Sequence, residues 1–278
     1  MHNHNTSMVN YSYCACFGFI EMTKLKKVQK SNHLNQANFG DFSMNAYKVV
    51  LHLIADIKRN NYNGEKLELS TIAREYSLTA ERFSGEFGTI EKNHAYEVLK
   101  HAVDKLLNTI FTIKTDKGIL KMHVCSSALY VENEGRIDIR FTEEIMPHLC
   151  ALNNKFTMYN LKEISNFNSI YTIRLYELLM QFKLTGEYVS TIDNLRYVFG
   201  CVDTFKKYND FKRFTIQHAV DEINSQYKIN LSYGEIKEGR KVVKLIFKFK
   251  KTTLHVTYDP IKEKYRNQLS RPEKIKKG

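Results

Sequence analysis

Cations gather in two places in the last third of this chain, and both placements suit a polyanion. The first runs Lys206-Lys207-Tyr208, then Asp210, then Lys212, Arg213 and Gln217. Asp210 is a good helix N-cap type, and Ile216, Ala219, Val220 and Ile223 recur at helical spacing behind it. That stripe leaves Lys212, Arg213, Gln217 and His218 on the opposite face. At the exposed start of a groove-docked helix, arginine can make a bidentate contact to guanine, and lysine can reach guanine or phosphate. Lys212, Arg213 and Gln217 are therefore the expected base contacts. The second place is a segment of period two carrying Lys237, Arg240, Lys241, Lys244, Lys248 and Lys250. These, with Lys206 and Lys207, are the expected phosphate contacts, and neutralising about six phosphates would give log K against log salt a slope near −5. Each placement has a plainer reading. The helix face could be an ordinary solvated one, and strand lysines also protect sheet edges from pairing with other chains.

The elements that must hold these side chains can be read around them. Ile229 and Leu231 suggest one short strand, Glu238-Gly239 a turn, and Arg240 the start of a second strand. In that second strand Val243, Leu245, Phe247 and Phe249 face one way and Lys244, Lys248 and Lys250 the other. A cation-led helix followed by such a ribbon is the layout of a winged-helix DNA reader. Upstream, Ile170–Phe182 reads as a helix, Tyr188-Val189 as a short strand, and Ser190/Thr191 as the start of a helix ending at Gly200.

The same order is expected earlier in the chain. Val49, Val50, Leu53, Ile54 and Ile57 form a helical stripe, Leu67–Leu69 a short strand, and Ser70 a cap for a small helix through Tyr76. Asn93 caps a long helix with Ala95, Val98, Leu99, Ala102, Val103, Leu106 and Leu107 inward, followed by strands at 110–115, 120–130 and 136–141. Ser70-Thr71-Ile72 returns as Ser190-Thr191-Ile192, and His101-Ala102-Val103-Asp104 as His218-Ala219-Val220-Asp221. The expected fold class is thus α+β, with two tandem winged-helix domains related by internal duplication. The boundaries are residues 41–148 and 149–257, after a disordered or mis-called leader (1–40) and before a basic tail (258–278). Within the leader Met22 looks like the natural start, and residues 23–40 are polar enough to be expected disordered. The first domain's long helix offers Tyr96 and Lys100 as base contacts beside Lys92, Asn93 and His101, diluted by Glu97 and Asp104.

Charge follows this division. Residues 1–148 carry 18 Lys+Arg against 17 Asp+Glu, while residues 149–278 carry 24 against 13, which places nearly all of the +12 in the second half. A polyanion is the partner this favours. Five scattered cysteines with no C-x-x-C pair fit free thiols in a reducing, cytoplasmic setting. No apolar run approaches a membrane span. Enzyme signals are missing. There is no phosphate-cradling G-x-x-x-x-G-K-[ST], no metal or cofactor motif, and the one His-x-His, His2-Asn3-His4, lies in the leader. That argues against a metal-dependent nicking enzyme with a nucleophilic tyrosine. Arg174 and Glu177, three apart on a helix, can form an ion pair, or the arginine can aim at a phosphate or a carboxylate of the other domain.

Several stretches together resemble the iteron-binding plasmid replication initiators. They are Tyr171-Thr-Ile-Arg-Leu-Tyr-Glu-Leu-Leu179, Leu195-Arg196 ahead of Gly200, Tyr208-x-x-Phe211-Lys-Arg213, Ala219-Val-x-Glu222-Ile-Asn224, and Gly239-Arg-Lys241. The match covers about residues 168–250, and residues 45–148 resemble the family's first domain by layout. The resemblance implies a monomer binding direct repeats of double-stranded DNA at a plasmid origin, both domains gripping successive major grooves. It also implies opening of adjacent AT-rich DNA, recruitment of the host initiator, helicase and primase, and a homodimer in equilibrium with the monomer. A winged-helix transcriptional regulator without an origin role, an autorepressor among the forms this could take, is the competing expectation.

Overall fold

The computed structural model describes residues 26–40, 42–60, 64–88, 90–150, 155–227 and 229–250. The expectations for the leader before residue 26 and for the basic tail lie outside the described residues.

The chain opens with strand β1 (Lys27–Ser31) and a single helical turn α1 (Asn32–Asn35), which Ser31 caps by accepting from the Leu34 N–H. Disorder was expected here. Instead Val28, Lys30, Leu34, Asn35, Ala37 and Phe39 are all buried. The polar residues that suggested disorder have partners far along the chain. Asn35 Nδ2 donates to the Glu177 carbonyl (3.0 Å), and Thr157 Oγ1 donates to Asn32 Oδ1 (2.8 Å). No local pattern shows such pairings.

Helix α2 (Met44–Asp56), capped by Ser43, begins the first winged-helix unit. It continues through β2 (Glu75–Thr79), α3 (Ala80–Glu86), α4 (Ala95–Leu107), a hairpin of β3 (Ile110–Thr115) and β4 (Gly118–His123), β5 (Cys125–Val131) and β6 (Arg136–Phe141). After α5 (Met146–Leu149) and β7 (Phe156–Asn160), the second unit runs α6 (Ile170–Gln181), β8 (Glu187–Thr191), α7 (Ile192–Val198), α8 (Tyr208–Phe211), a π-helical stretch at Lys212–Gln217, α9 (His218–Gln226), β9 (Ser232–Glu238) and β10 (Lys241–Lys248). The sheets have the same order in both units, β2-β6-β5 and β8-β10-β9, with the third strand central and antiparallel to both neighbours. The β3–β4 hairpin is an insertion in the first unit. Two winged-helix domains in an α+β chain are what the sequence pattern predicts.

Several local assignments shift. Leu69–Thr71 is a 3-10 turn, and the strand expected at 67–69 lies at Glu75–Thr79. Thr79, not Ser70, caps the following helix by accepting from the Arg82 N–H (3.2 Å), as Thr191 caps α7 by accepting from Asn194 N–H (3.1 Å). The Ser-Thr-Ile identity is therefore coincidental, whereas the His-Ala-Val-Asp repeat does fall in the equivalent helices α4 and α9. Residues 120–130 break at Val124 into strands of two different sheets. The N-cap position of α8 is Lys207, with Asp210 inside the first turn. Helix α4 starts at Ala95 after a 3-10 turn at Lys92–His94, so Asn93 does not cap it. Ile229 and Leu231 are buried in the approach to β9, not in it.

The domain boundary expected at 148/149 is crossed by a strand pair, since β7 runs antiparallel to β1. Helix α6 then belongs to both halves, because its buried face meets residues from β1, α1, α2 and β7. Arg174 Nη1 lies 2.9 Å from Glu177 Oε2, and Arg174 Nη2 donates to the carbonyls of Asn35 (2.7 Å) and Ala37 (3.1 Å). Lys30 Nζ lies 2.6 Å from Glu177 Oε1 and donates to Tyr47 Oη (2.5 Å), and Tyr159 O–H donates to Glu177 Oε1 (2.6 Å). Of the alternatives for Arg174, the ion pair with Glu177 is the one present. Two cations share one carboxylate here, and burial drives the Lys30 ammonium down to about 7, against the pull of Glu177. The buried apolar residues form one continuous cluster from Val28 to Phe249.

Candidate nucleic-acid interface

The helix that carries the second-domain cations is built from its entrance inward. Lys206 and Lys207 are exposed on the loop that leads into it. Arg196 of α7 fixes that loop, donating from Nη1 to the Thr204 carbonyl (3.1 Å) and from Nη2 to the Lys206 carbonyl (3.3 Å). Its guanidinium also lies 4.5 Å from the centroid of the buried Phe211 ring. Phe211, Thr215, Ile216, Ala219, Val220 and Ile223 face the core. Between α8 and α9 the helix widens into a π-helical stretch at Lys212–Gln217, a feature that recurs at functional sites.

The three expected base contacts do not stand alike. Arg213 is exposed, makes no ion pair among the described residues, and lies over the Phe214 ring, 4.4 Å from its centroid. Lys212 instead leans onto the ribbon, donating to Glu235 Oε1 (2.7 Å), a hydrogen bond that raises the lysine above its ordinary value. The same bond, with a second one donated by Tyr208 (2.8 Å), holds the Glu235 carboxyl below its usual range. Gln217 is occupied at both ends of its amide, Nε2 donating to Asp221 Oδ1 (2.8 Å) and Oε1 accepting from Tyr233 O–H (2.8 Å). Arg213 is ready to meet a ligand, whereas Lys212 and Gln217 must exchange existing partners to do so.

The ribbon sorts its cations by position. Lys237, Arg240 and Lys241 surround the hairpin tip, where Gly239 sits at φ +60° and closes the turn between β9 and β10. Lys244 and Lys248 project from β10 on the side opposite the buried Leu245 and Phe247, and Lys250 is exposed just beyond the strand. Because β10 is the central strand, Lys244 and Lys248 protect no edge. The helix-side tip and the outer sheet face are therefore two separate cationic surfaces.

The first domain is electrostatically quieter. Tyr96 is half-buried against the core, and Lys100 lies 3.6 Å from Glu132. On its ribbon Arg136 meets both Glu134 (3.0 Å) and Asp138 (3.3 Å), and Arg140 meets Glu75 (3.8 Å). Both of these ribbon arginines, half-buried Arg136 and exposed Arg140, thus have acidic neighbours. Sequence reasoning missed three contributors in the second domain: Glu235, Arg196 as a loop anchor, and Phe214. Arg196 lies in one of the stretches that carry the family resemblance. Nothing in the period of the helix marks Phe214, which is an apolar residue outside the apolar stripe. Among the described residues no cluster of three or more His, Cys, Asp or Glu could hold a metal ion, and no helix is long and apolar enough to cross a membrane.

Comparison with known proteins agrees with this architecture. Residues 27–180 match the family model described as "Initiator Replication protein, WH1", and residues 191–249 match "Initiator Rep protein, WH2". The Escherichia coli "PI protein" is 31% identical over 166 residues, 53% of this chain and 54% of that protein. An Escherichia coli "Replication initiation protein" is 23% identical over 228 residues, 79% of this chain and 68% of that one. The chain thus spans about half to two thirds of these relatives. The crystal structure of the Pi initiator protein in complex with iteron DNA shares the fold, with a TM-score of 0.66 at 22% identity, covering 81% of this chain and 97% of that one. Matched in tandem by both domains, the first of which alone takes in more than half of its length, the chain belongs to the family of initiator replication proteins.

Proposed function

We propose that this protein initiates replication of a plasmid by binding directly repeated sequences at its origin, helping to open the adjacent duplex and recruiting the host initiator, helicase and primase. The observation that carries the reading is the second-domain helix, with Arg213 exposed in a π-helical stretch, Lys206 and Lys207 exposed on the loop that enters it, and Lys212 joining it to Glu235 of the cationic ribbon. Family membership supports it, as does the shared fold with an initiator crystallised on iteron DNA. Arg213 is the principal base contact. Lys206, Lys207, Lys237, Arg240 and Lys241 hold phosphates, whereas Lys244, Lys248 and Lys250, which the sequence pattern groups with them, are left out of this set because Lys244 and Lys248 project from the sheet face opposite the buried Leu245 and Phe247 and Lys250 follows them beyond the strand. The first domain, with Tyr96 and Lys100, takes the neighbouring groove more weakly and supplies the homodimer contact. The protein acts in the bacterial cytoplasm.

The test is maintenance of an otherwise non-replicating circle that carries the gene and its flanking DNA in the native host. Stable maintenance, lost when either the gene or the repeats are deleted, is the expected result. Tight binding to flanking DNA without maintenance would reassign the protein as a transcriptional regulator.

A further inference from the structure

One side chain on the outer face of the second-domain helix breaks the rule that its apolar residues face inward. Phe214 is 44% exposed, although Phe211, Ile216, Ala219, Val220 and Ile223 are buried. The ring has two close neighbours, an aromatic one and a cationic one. Phe205 stacks on it at 5.5 Å between centroids and 23° between planes, and Phe205 in turn meets Tyr171 edge-on at 6.2 Å. Phe205 adopts φ +53°, a conformation that residues with a side chain rarely take. The Arg213 guanidinium also lies 4.4 Å from the Phe214 centroid.

A braced aromatic ring, held in water beside a cation, needs a ligand that is apolar at one point and anionic around it. A protein partner would call for a broad exposed apolar surface, whereas the cleft beside Phe214 pairs half-buried Met44, Ile170 and Tyr171 with polar Asn168, Ser169, Arg213 and His218, and Phe214 is the one large exposed apolar side chain among the described residues of its helix. The floor of the DNA major groove matches better. Its one apolar group is the C5-methyl of thymine, which phenylalanine can contact, and guanine offers the acceptor pair that arginine prefers. We propose that Phe214 reads a thymine methyl in the major groove and that its ring positions Arg213 for the neighbouring guanine. This rests on the DNA-reading function above and adds which base the helix selects and through which atom.

Deoxyuridine removes the methyl and changes nothing else, so it isolates the contact. The binding site is first selected from a random duplex pool with the full chain, and each thymine is then replaced in turn by deoxyuridine. The expected result is one or two thymines, beside a guanine, whose replacement weakens the wild-type protein roughly fourfold, the worth of one buried methyl. Phe214→Ala should bind thymine and deoxyuridine equally at those positions while keeping the wild-type salt dependence and its response at other positions. Should Phe214→Ala fail to fold, Phe214→Ser is read in the same way. Unchanged deoxyuridine sensitivity in the variant, or none in the wild type, overturns the proposal. A pool that yields no enriched sequence instead refutes the sequence-reading function, and this proposal with it.

Discussion

Arg213 and Lys212 are adjacent in sequence, yet the fold commits them to different tasks. Arg213→Ala should cost about 1–3 kcal/mol on the selected site and relax specificity at one base pair, measured by titration against a panel of single-base variants. Lys212→Ala should cost less, because its ammonium already belongs to Glu235. The ribbon lysines invite a sharper comparison. Lys241→Ala, at the hairpin tip, should lower the slope of log K against log salt by about 1. Lys248→Ala, on the outer sheet face, should leave that slope unchanged. Equal effects from the two would mean that DNA reaches the outer face. The sequence made the cations visible but not their partners. The period of a strand says which residues share a face, whereas the bonds of Glu235 with Tyr208 and Lys212 span 27 and 23 residues.

At the scale of elements, the second domain was legible more closely than the first, although Asp210 sits inside the turn it was expected to cap and Ile229 and Leu231 precede the strand they were expected to form. The reason is capping chemistry. Thr191 follows a strand and precedes an apolar stripe, so its role can be read locally. In the first domain Ser70 offers the same local signal at the wrong place, and only the pairing of Glu75–Thr79 with Arg136–Arg140 decides for Thr79. Thr79→Ala should therefore cost about 1 kcal/mol of stability, while Ser70→Ala, in an exposed 3-10 turn, should stay within about 0.5 kcal/mol. Urea denaturation of the two variants checks this, and the reverse order would restore the original register. The N-terminal strand was illegible for a related reason. Lys30 reads as a solvated residue until Glu177, 147 positions later, is seen beside it.

That pair governs the whole molecule. Glu177→Leu leaves Arg174 and Lys30 without their shared carboxylate and should cost about 3–5 kcal/mol. Lys30→Met should be far milder, since it removes the surplus cation. Its signature is in the pH dependence. Between about 7 and its ordinary 10.5 the unfolded chain holds a proton on Lys30 that the folded chain has released. Stability therefore rises with pH across that window and levels off above it. Lys30→Met should abolish that part of the rise, which denaturation midpoints at two pH values inside the window would show. The halves also meet where a Cβ built on Gly200, at φ +68°, would lie 2.3 Å from the Gly40 carbonyl oxygen. Gly200→Ala should cost more than about 1 kcal/mol.

Helix α6, wedged between the two readers and bolted to both, has a consequence that extends beyond the protein. If the readers cannot slide past each other, the phase between the two stretches of duplex they touch is dictated from inside the core. Adding half a helical turn of DNA between those stretches would then be as damaging as rewriting the bases. A cut between residues 180 and 190 would not liberate a working second reader, because the beam it leans on would stay with the first.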